Sequence, residues 1–111
     1  MAIIRTIPSR RIINGNPVDT SEISVVSELD YRTNGESCII LRGVSESNVV
    51  LDSKTTDHIV VKSMVKTTIR PDLGKIDEDY DELIMDRYAC VEFRFVGGHW
   101  YILSSDGLKQ S

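Results

Sequence analysis

Three groups of residues in this sequence have the types and spacing to do chemistry. Asp57 and His58 are adjacent, and a carboxylate beside an imidazole can orient a general base. A hydrolytic triad also needs a nucleophile activated in a strained, exposed turn. No GxSxG occurs, and Ser104-Ser105-Asp106-Gly107 ends in Asp-Gly, the signature of a turn into a polar tail. The second group, Asp77-Glu78-Asp79-Tyr80-Asp81-Glu82, sets carboxylates at alternate positions as a calcium loop does. That loop needs glycine at its sixth position and a bidentate glutamate at its twelfth. Here those positions hold Glu82 and Tyr88, so a solvated acidic loop is expected. The third group is His99, Trp100 and Tyr101 beside Gly97-Gly98, where aromatics could stack on a sugar or a base.

None of the three carries a reaction. The chain holds no phosphate loop, GxGxxG or HExxH. Cys38 and Cys90 sit singly in apolar, strand-like runs. They read as two reduced thiols of the core or one disulfide, since zinc would require a CxxC or a Cys/His cluster. No catalytic residue, metal, cofactor or small-molecule substrate is therefore expected, and the chain is not expected to be an enzyme.

The elements that position these residues are strands. Apolar residues rarely recur at i, i+3, i+4 and i+7, and β-branched residues dominate. Strand-like runs fall at 38–41, 49–51, 58–62, 67–70, 83–85, 90–96 and 100–103. Turn-formers separate them: Gly43, Ser45 to Asn48, Asp52-Ser53, Pro71 to Gly74, and Gly97-Gly98. Seven short runs at this spacing predict an all-β domain, a small β-sandwich, prism or barrel-like body, over residues 35–107, with a polar tail at 108–111. Residues 1–34 hold Pro8, Pro17 and the turn Asn14-Gly15-Asn16-Pro17. They read as an extended N-terminal arm, with Ile23, Val25 and Val26 forming one strand or one short helix. An arm cannot bury enough surface alone to order itself, so it must lie on its own body, a neighbouring subunit or a partner.

The chain has 111 residues and a net charge of −4, which argues against general nucleic-acid binding. Its first eleven residues carry Arg5, Arg10 and Arg11 and no acid, leaving net −7 on the remaining hundred. A basic arm on an acidic body suits docking to an acidic protein surface, or to DNA. Arg5 follows Met1–Ile4 directly, so no leader is expected, and no apolar run is long enough to span a membrane.

Period-2 alternation places Val91, Phe93 and Phe95 on one face of the 90–96 run, with Glu92 and Arg94 on the other. In the last run Trp100 and Ile102 alternate with Tyr101 and Leu103, so both faces are apolar. Val91, Phe93, Phe95, Trp100 and Ile102 are assigned to the core, and His99 at the turn to solvent. Tyr101, Leu103 and Val96 are assigned to an interface with copies of the same chain, because a small monomer has trouble covering a second face.

The pieces also have an ordered resemblance. Cys38-Ile39-Ile40-Leu41, Val49-Val50-Leu51-Asp52, His58-Ile59-Val60-Val61-Lys62, Thr67-Thr68-Ile69-Arg70-Pro71, Gly74-Lys75-Ile76-Asp77, Leu83 through Phe95, and Gly98-His99-Trp100-Tyr101-Ile102-Leu103-Ser104 follow one another. In that order they resemble a β-module of tailed-phage virion proteins, of the head-decoration, head-fibre and tail-fibre type. The resemblance covers about two thirds of the chain. Glu78 stands where the module usually has glycine after Ile-Asp, and the acidic stretch Asp79–Glu82 is heavier than usual. The resemblance implies a homotrimeric structural protein with no catalytic residues. The short chain and basic arm then favour a capsid decoration or cement protein on the outer surface of the head, made in the host cytoplasm. Arg5, Pro8, Arg10 and Arg11 would contact the major capsid protein. The alternative is a tail or baseplate fibre or adaptor component involved in host attachment.

Overall fold

The seven runs picked out by β-branched and apolar residues are all strands in a computed structural model, which describes residues 12–13, 16–17 and 23–106. They are β5 (Cys38–Leu41), β6 (Glu46–Leu51), β7 (His58–Ser63), β8 (Lys66–Pro71), β9 (Leu83–Met85), β10 (Ala89–Val96) and β11 (His99–Asp106). Four more precede them: β1 (Ile12–Ile13), β2 (Asn16–Pro17), β3 (Ile23–Val26) and β4 (Asp30–Arg32). The strand count therefore exceeds the expected seven. From Ile23 onward the chain belongs to the β-body, so the part of the expected arm that lies at residues 23–34 forms strands of that body.

The strands make two mixed sheets, in the orders β11-β10-β7-β5-β3 and β4-β6-β8-β9, while β1 and β2 form a separate pair among the described residues. From β3 to β8 successive strands alternate between the two sheets, and β3, β4, β5 and β6 each pair in parallel with the strand two places on. The chain thus winds through three stacked coils. Parallel neighbours need a crossover of about a dozen residues, commonly a helix; here a strand of the opposite sheet serves. The winding stops after β8, because β9, β10 and β11 pair antiparallel.

Coil winding stacks like on like. Ile39, Val61 and Val91 lie side by side across β5, β7 and β10. Val49 and Ile69 lie side by side across β6 and β8, beside Tyr31. Ile39, Val61, Val91, Val49 and Ile69 are fully buried, as are Leu41, Leu51, Ile59, Met85, Phe93 and Trp100, with Tyr31 partly buried against them. Each such burial contributes about 1.5–3 kcal/mol. Buried hydroxyls tie the crossovers down: Ser47 Oγ donates to the Glu28 carbonyl at 2.8 Å and Ser63 Oγ to that of Asp86 at 2.7 Å. The amide of Asp52 donates to Thr33 Oγ1 at 2.8 Å.

Candidate functional site

The β10–β11 hairpin turns through Gly97 and Gly98, both at positive φ (60° and 93°). Two consecutive residues of that kind give the turn whose twist matches paired strands. Inside the hairpin the Phe95 and Trp100 rings lie 5.3 Å apart. Val91, Phe93 and Trp100 are buried, while Phe95 and Ile102 pack against the same core from its edge. The indole Nε1 of Trp100 donates to Asp72 Oδ1 at 3.3 Å. Asp72 Oδ2 in turn accepts from the amide and hydroxyl of Ser53, at 2.9 and 2.8 Å. Burial alone would raise the Asp72 pKa, but these donors and the Leu73 amide hold it below the ordinary value.

The free edge of β11 is closed by the loop before β9. The amide of Trp100 donates to the Lys75 carbonyl at 3.0 Å, and the amide of Asp77 to the Trp100 carbonyl at 2.8 Å. The amide of Ile102 donates to Asp77 Oδ1 at 2.9 Å. Asp77 and Glu78 take φ of 51° and 68° in a tight turn, where the amide of Asp79 reaches the Ile76 carbonyl at 3.2 Å. Glu78 Oε2 accepts the Tyr101 hydroxyl at 2.7 Å, and this bond pushes the Tyr101 pKa up. Lys75 meets Asp81 at 2.5 Å and Arg70 meets Glu82 at 3.0 Å. The acidic loop is exposed from Glu78 to Glu82, as expected, and four of its five acids also have partners in the chain. Among the described residues no group of three or more His, Cys, Asp or Glu side chains is arranged to hold a metal ion. His99, expected in solvent, is half-buried, and its Nδ1 accepts from the Lys75 amide at 3.0 Å.

The three residues assigned to an interface differ in setting. Tyr101 is half-buried and held by Glu78. Val96 and Leu103 are 56% and 55% exposed. Leu103 sits at a bulge, where Glu92 pairs with Ser104 and Phe93 with Ile102, leaving Leu103 unmatched. The arm residues Arg5, Pro8, Arg10 and Arg11 lie outside the described residues.

His58 takes its carboxylate from Glu92, not from its neighbour Asp57. Nε2 lies 2.5 Å from Glu92 Oε2, and Ser104 Oγ donates to Glu92 Oε1 at 3.0 Å. The carboxylate stands between hydroxyl and imidazole, the reverse of the order in which a histidine removes a serine proton. Sequence reasoning missed Glu92 and Ser104 because they lie 34 and 46 positions from His58. Only the register of β7 against β10 and of β10 against β11 brings the three together.

The outer face of the other sheet bears an open groove of about 270 Å³ lined by Asp30, Tyr31, Arg32, Asn48, Val50 and Arg70. Arg32 Nε donates to Asp52 Oδ2 at 2.8 Å, and Asn48 Nδ2 to Asp30 Oδ1 at 3.3 Å. The Arg32 bond, with the Lys54 amide, holds Asp52 below its ordinary pKa. Tyr31 reaches inward, and its hydroxyl donates to Glu36 Oε2. Burial, reinforced by that bond, pushes its pKa up to about 12.

No family model and no curated protein sequence matches the chain.

Proposed function

We propose that the chain is a structural protein of a tailed-phage virion: a small trimeric capsid decoration protein that stabilises the head. The observation that carries this reading is the last hairpin. Its inner side is filled by Phe93, Phe95 and Trp100, while its outer side holds Val96 and Leu103, each more than half exposed. Apolar side chains on the solvent side of a hairpin suit burial against copies of the same chain. The ordered motifs from Cys38 to Ser104, which resemble a virion module, supply the class of assembly. In this reading the β-body bridges adjacent capsid subunits, and Arg5, Pro8, Arg10 and Arg11 lie along acidic capsid surfaces. The buried area opposes the outward pressure of packaged DNA.

The test is solution mass followed by binding to expanded capsids. A trimer at micromolar concentration is expected, and Leu103→Asp with Val96→Asp should dissociate it while leaving the β-rich circular dichroism spectrum intact. A wild-type monomer that leaves capsids undecorated would sink the proposal. The open groove with Asp30, Arg32, Asn48 and Arg70 favours a second reading, a tail or baseplate fibre or adaptor that contacts a host ligand. Electron microscopy of labelled particles separates head from tail.

A further inference from the structure

The stack of coils ends open at its first turn. β3 and β4 are the outermost members of their sheets, and among the described residues no strand pairs with the far side of either. The Val26 carbonyl accepts from the Arg42 amide at 3.0 Å, so Ser24 and Val26 turn their backbone groups toward β5. Alternation then points the N–H and C=O of Ile23 and Val25 away from it. On β4 the Leu29 carbonyl accepts from the Asn48 amide at 2.7 Å, and the Thr33 amide donates to the Val50 carbonyl at 3.0 Å. Leu29, Tyr31 and Thr33 thus face β6, and Asp30 and Arg32 present their backbone groups outward. Val25 is 61% exposed and Leu29 52%, so apolar surface accompanies the open ladders. Proteins guard such edges with proline, a bulge, charged side chains or a covering loop. β11 has its loop. β3 reads Ile-Ser-Val-Val and carries none of these guards, while the charges of β4, Asp-Tyr-Arg, are opposite in sign.

We propose that a second copy of this chain pairs with this end, β3 against β3 and β4 against β4, about a two-fold axis normal to both sheets. Three observations favour a second copy over any other strand. The first is that β4 is complementary to itself. An antiparallel copy centred on Tyr31 sets Asp30 opposite Arg32 in both directions, and these are the residues with outward backbone groups. Each pair therefore joins opposite charges and exchanges two backbone hydrogen bonds. Arg32 gives its Nε to Asp52, and its side chain remains 55% exposed. Secondly, an antiparallel copy of β3 centred on Ser24 sets Ile23 opposite Val25, an apolar pair whose backbone groups are again the outward ones. Thirdly, one axis serves both strands, because Ser24 and Tyr31 stand nearly equally far along the chain from the turn at 27–29. Asp30 and Arg32 also line the open groove, so pairing sets two such grooves side by side across the seam. The inference does not rest on the virion reading: Val96 and Leu103 belong to β10 and β11, at the opposite side of the five-stranded sheet from β3.

Sedimentation of the full chain carrying Val96→Asp and Leu103→Asp, which removes the hairpin contact, tests it. The mass should approach twice that of one chain as concentration rises from about 10 µM to about 1 mM, as suits a weak contact of two short strands a side. Added to that parent, Asp30→Arg sets arginine against arginine and Arg32→Asp sets aspartate against aspartate. Each should hold the mass at that of one chain, with an unchanged circular dichroism spectrum. An equimolar mixture of the two variants restores both opposite-charge pairs and should regain the doubled mass. Ser24→Cys is a second measurement that alters no charge. At the axis the Cα atoms of the paired residues lie about 4.5 Å apart, so mild oxidation should join two chains through the introduced thiols. A parent that keeps the mass of one chain at about 1 mM would overturn the proposal. So would single variants that pair as tightly as the parent, which would assign the doubling to another surface. Loss of pairing in the single variants, with neither recovery on mixing nor a Ser24→Cys disulfide, would also overturn it and leave this end to the chain's own residues or to a different protein. None of these outcomes bears on the trimer, which is tested on the chain without substitutions.

Discussion

The indole N–H of Trp100 and the carboxylate of Asp72 meet at 3.3 Å, joining the last strand to the turn after β8 across 28 residues of sequence. Asp72 also binds Ser53, so one carboxylate locks three segments around the buried ring. Trp100→Ala should cost about 3–5 kcal/mol, as for other large core aromatics. Trp100→Phe keeps much of the packing and removes the donor, and should cost about 1–3 kcal/mol. Urea denaturation of both variants, and of each combined with Asp72→Ala, measures the coupling. Equal losses from Trp100→Phe in the presence and absence of Asp72 would contradict the lock.

Gly74 is required by a close approach. Its φ is +65°, and a Cβ there would stand 1.9 Å from the carbonyl oxygen of Gly98. Gly97, also at positive φ, has open space around it. Gly74→Ala should therefore cost about 2–4 kcal/mol from strain plus overpacking. Gly97→Ala should cost only the left-handed backbone term of about 1–2 kcal/mol. Thermal melts of the pair decide; a Gly74→Ala chain no weaker than Gly97→Ala would show that the turn relaxes freely.

Lys62 Nζ is buried and has no hydrogen-bond partner among the described residues, and burial pushes its pKa down. The folded state disfavours the charged amine, so Lys62 destabilises the protein below the unfolded lysine pKa. The penalty falls as pH rises toward about 10.4. Lys62→Met keeps the stem and removes the charge, and should stabilise by about 1–3 kcal/mol at pH 7. Chemical denaturation at pH 7 and pH 10 should show the gain shrinking with pH.

The pH limits of the fold follow from three other groups. Tyr31 titrates at about 12, so its contribution is complete below the unfolded tyrosine pKa of about 10 and lost as pH rises toward 12. Absorbance titration at about 295 nm, the tyrosinate band, should show Tyr31 as a late ioniser, and Glu36→Gln should bring it earlier. Asp52 and Asp72 are shifted down. Their contributions are complete above the unfolded aspartate pKa of about 3.9 and lost as pH falls below it. Stability that is flat between pH 5 and pH 2 would refute the pairing of both aspartates.

Much of the closing hairpin was legible in the sequence. Phe93, Trp100 and their neighbours fall on the inner face because strand side chains alternate, a rule that needs only local order. The runs of β5 and β7 were visible too as strands, but their direction was not. Alternation is identical for parallel and antiparallel neighbours, so the three-coil winding left no local trace. Glu78 takes a φ of 68°, in the left-handed region that favours glycine, and its carboxylate accepts the Tyr101 hydroxyl, a pairing no local pattern showed.

What the sequence determined by itself was the set of strands from β5 to β11 and, in β10 and β11, which side chains face the core, because both follow from residue type and a two-residue period. Tertiary structure alone decided which carboxylate serves which partner: Glu92 for His58, Asp72 for Trp100, Glu78 for Tyr101. Those pairs lie 23 to 34 residues apart. Only strand register and the path of the loop along β11 bring them within hydrogen-bond reach.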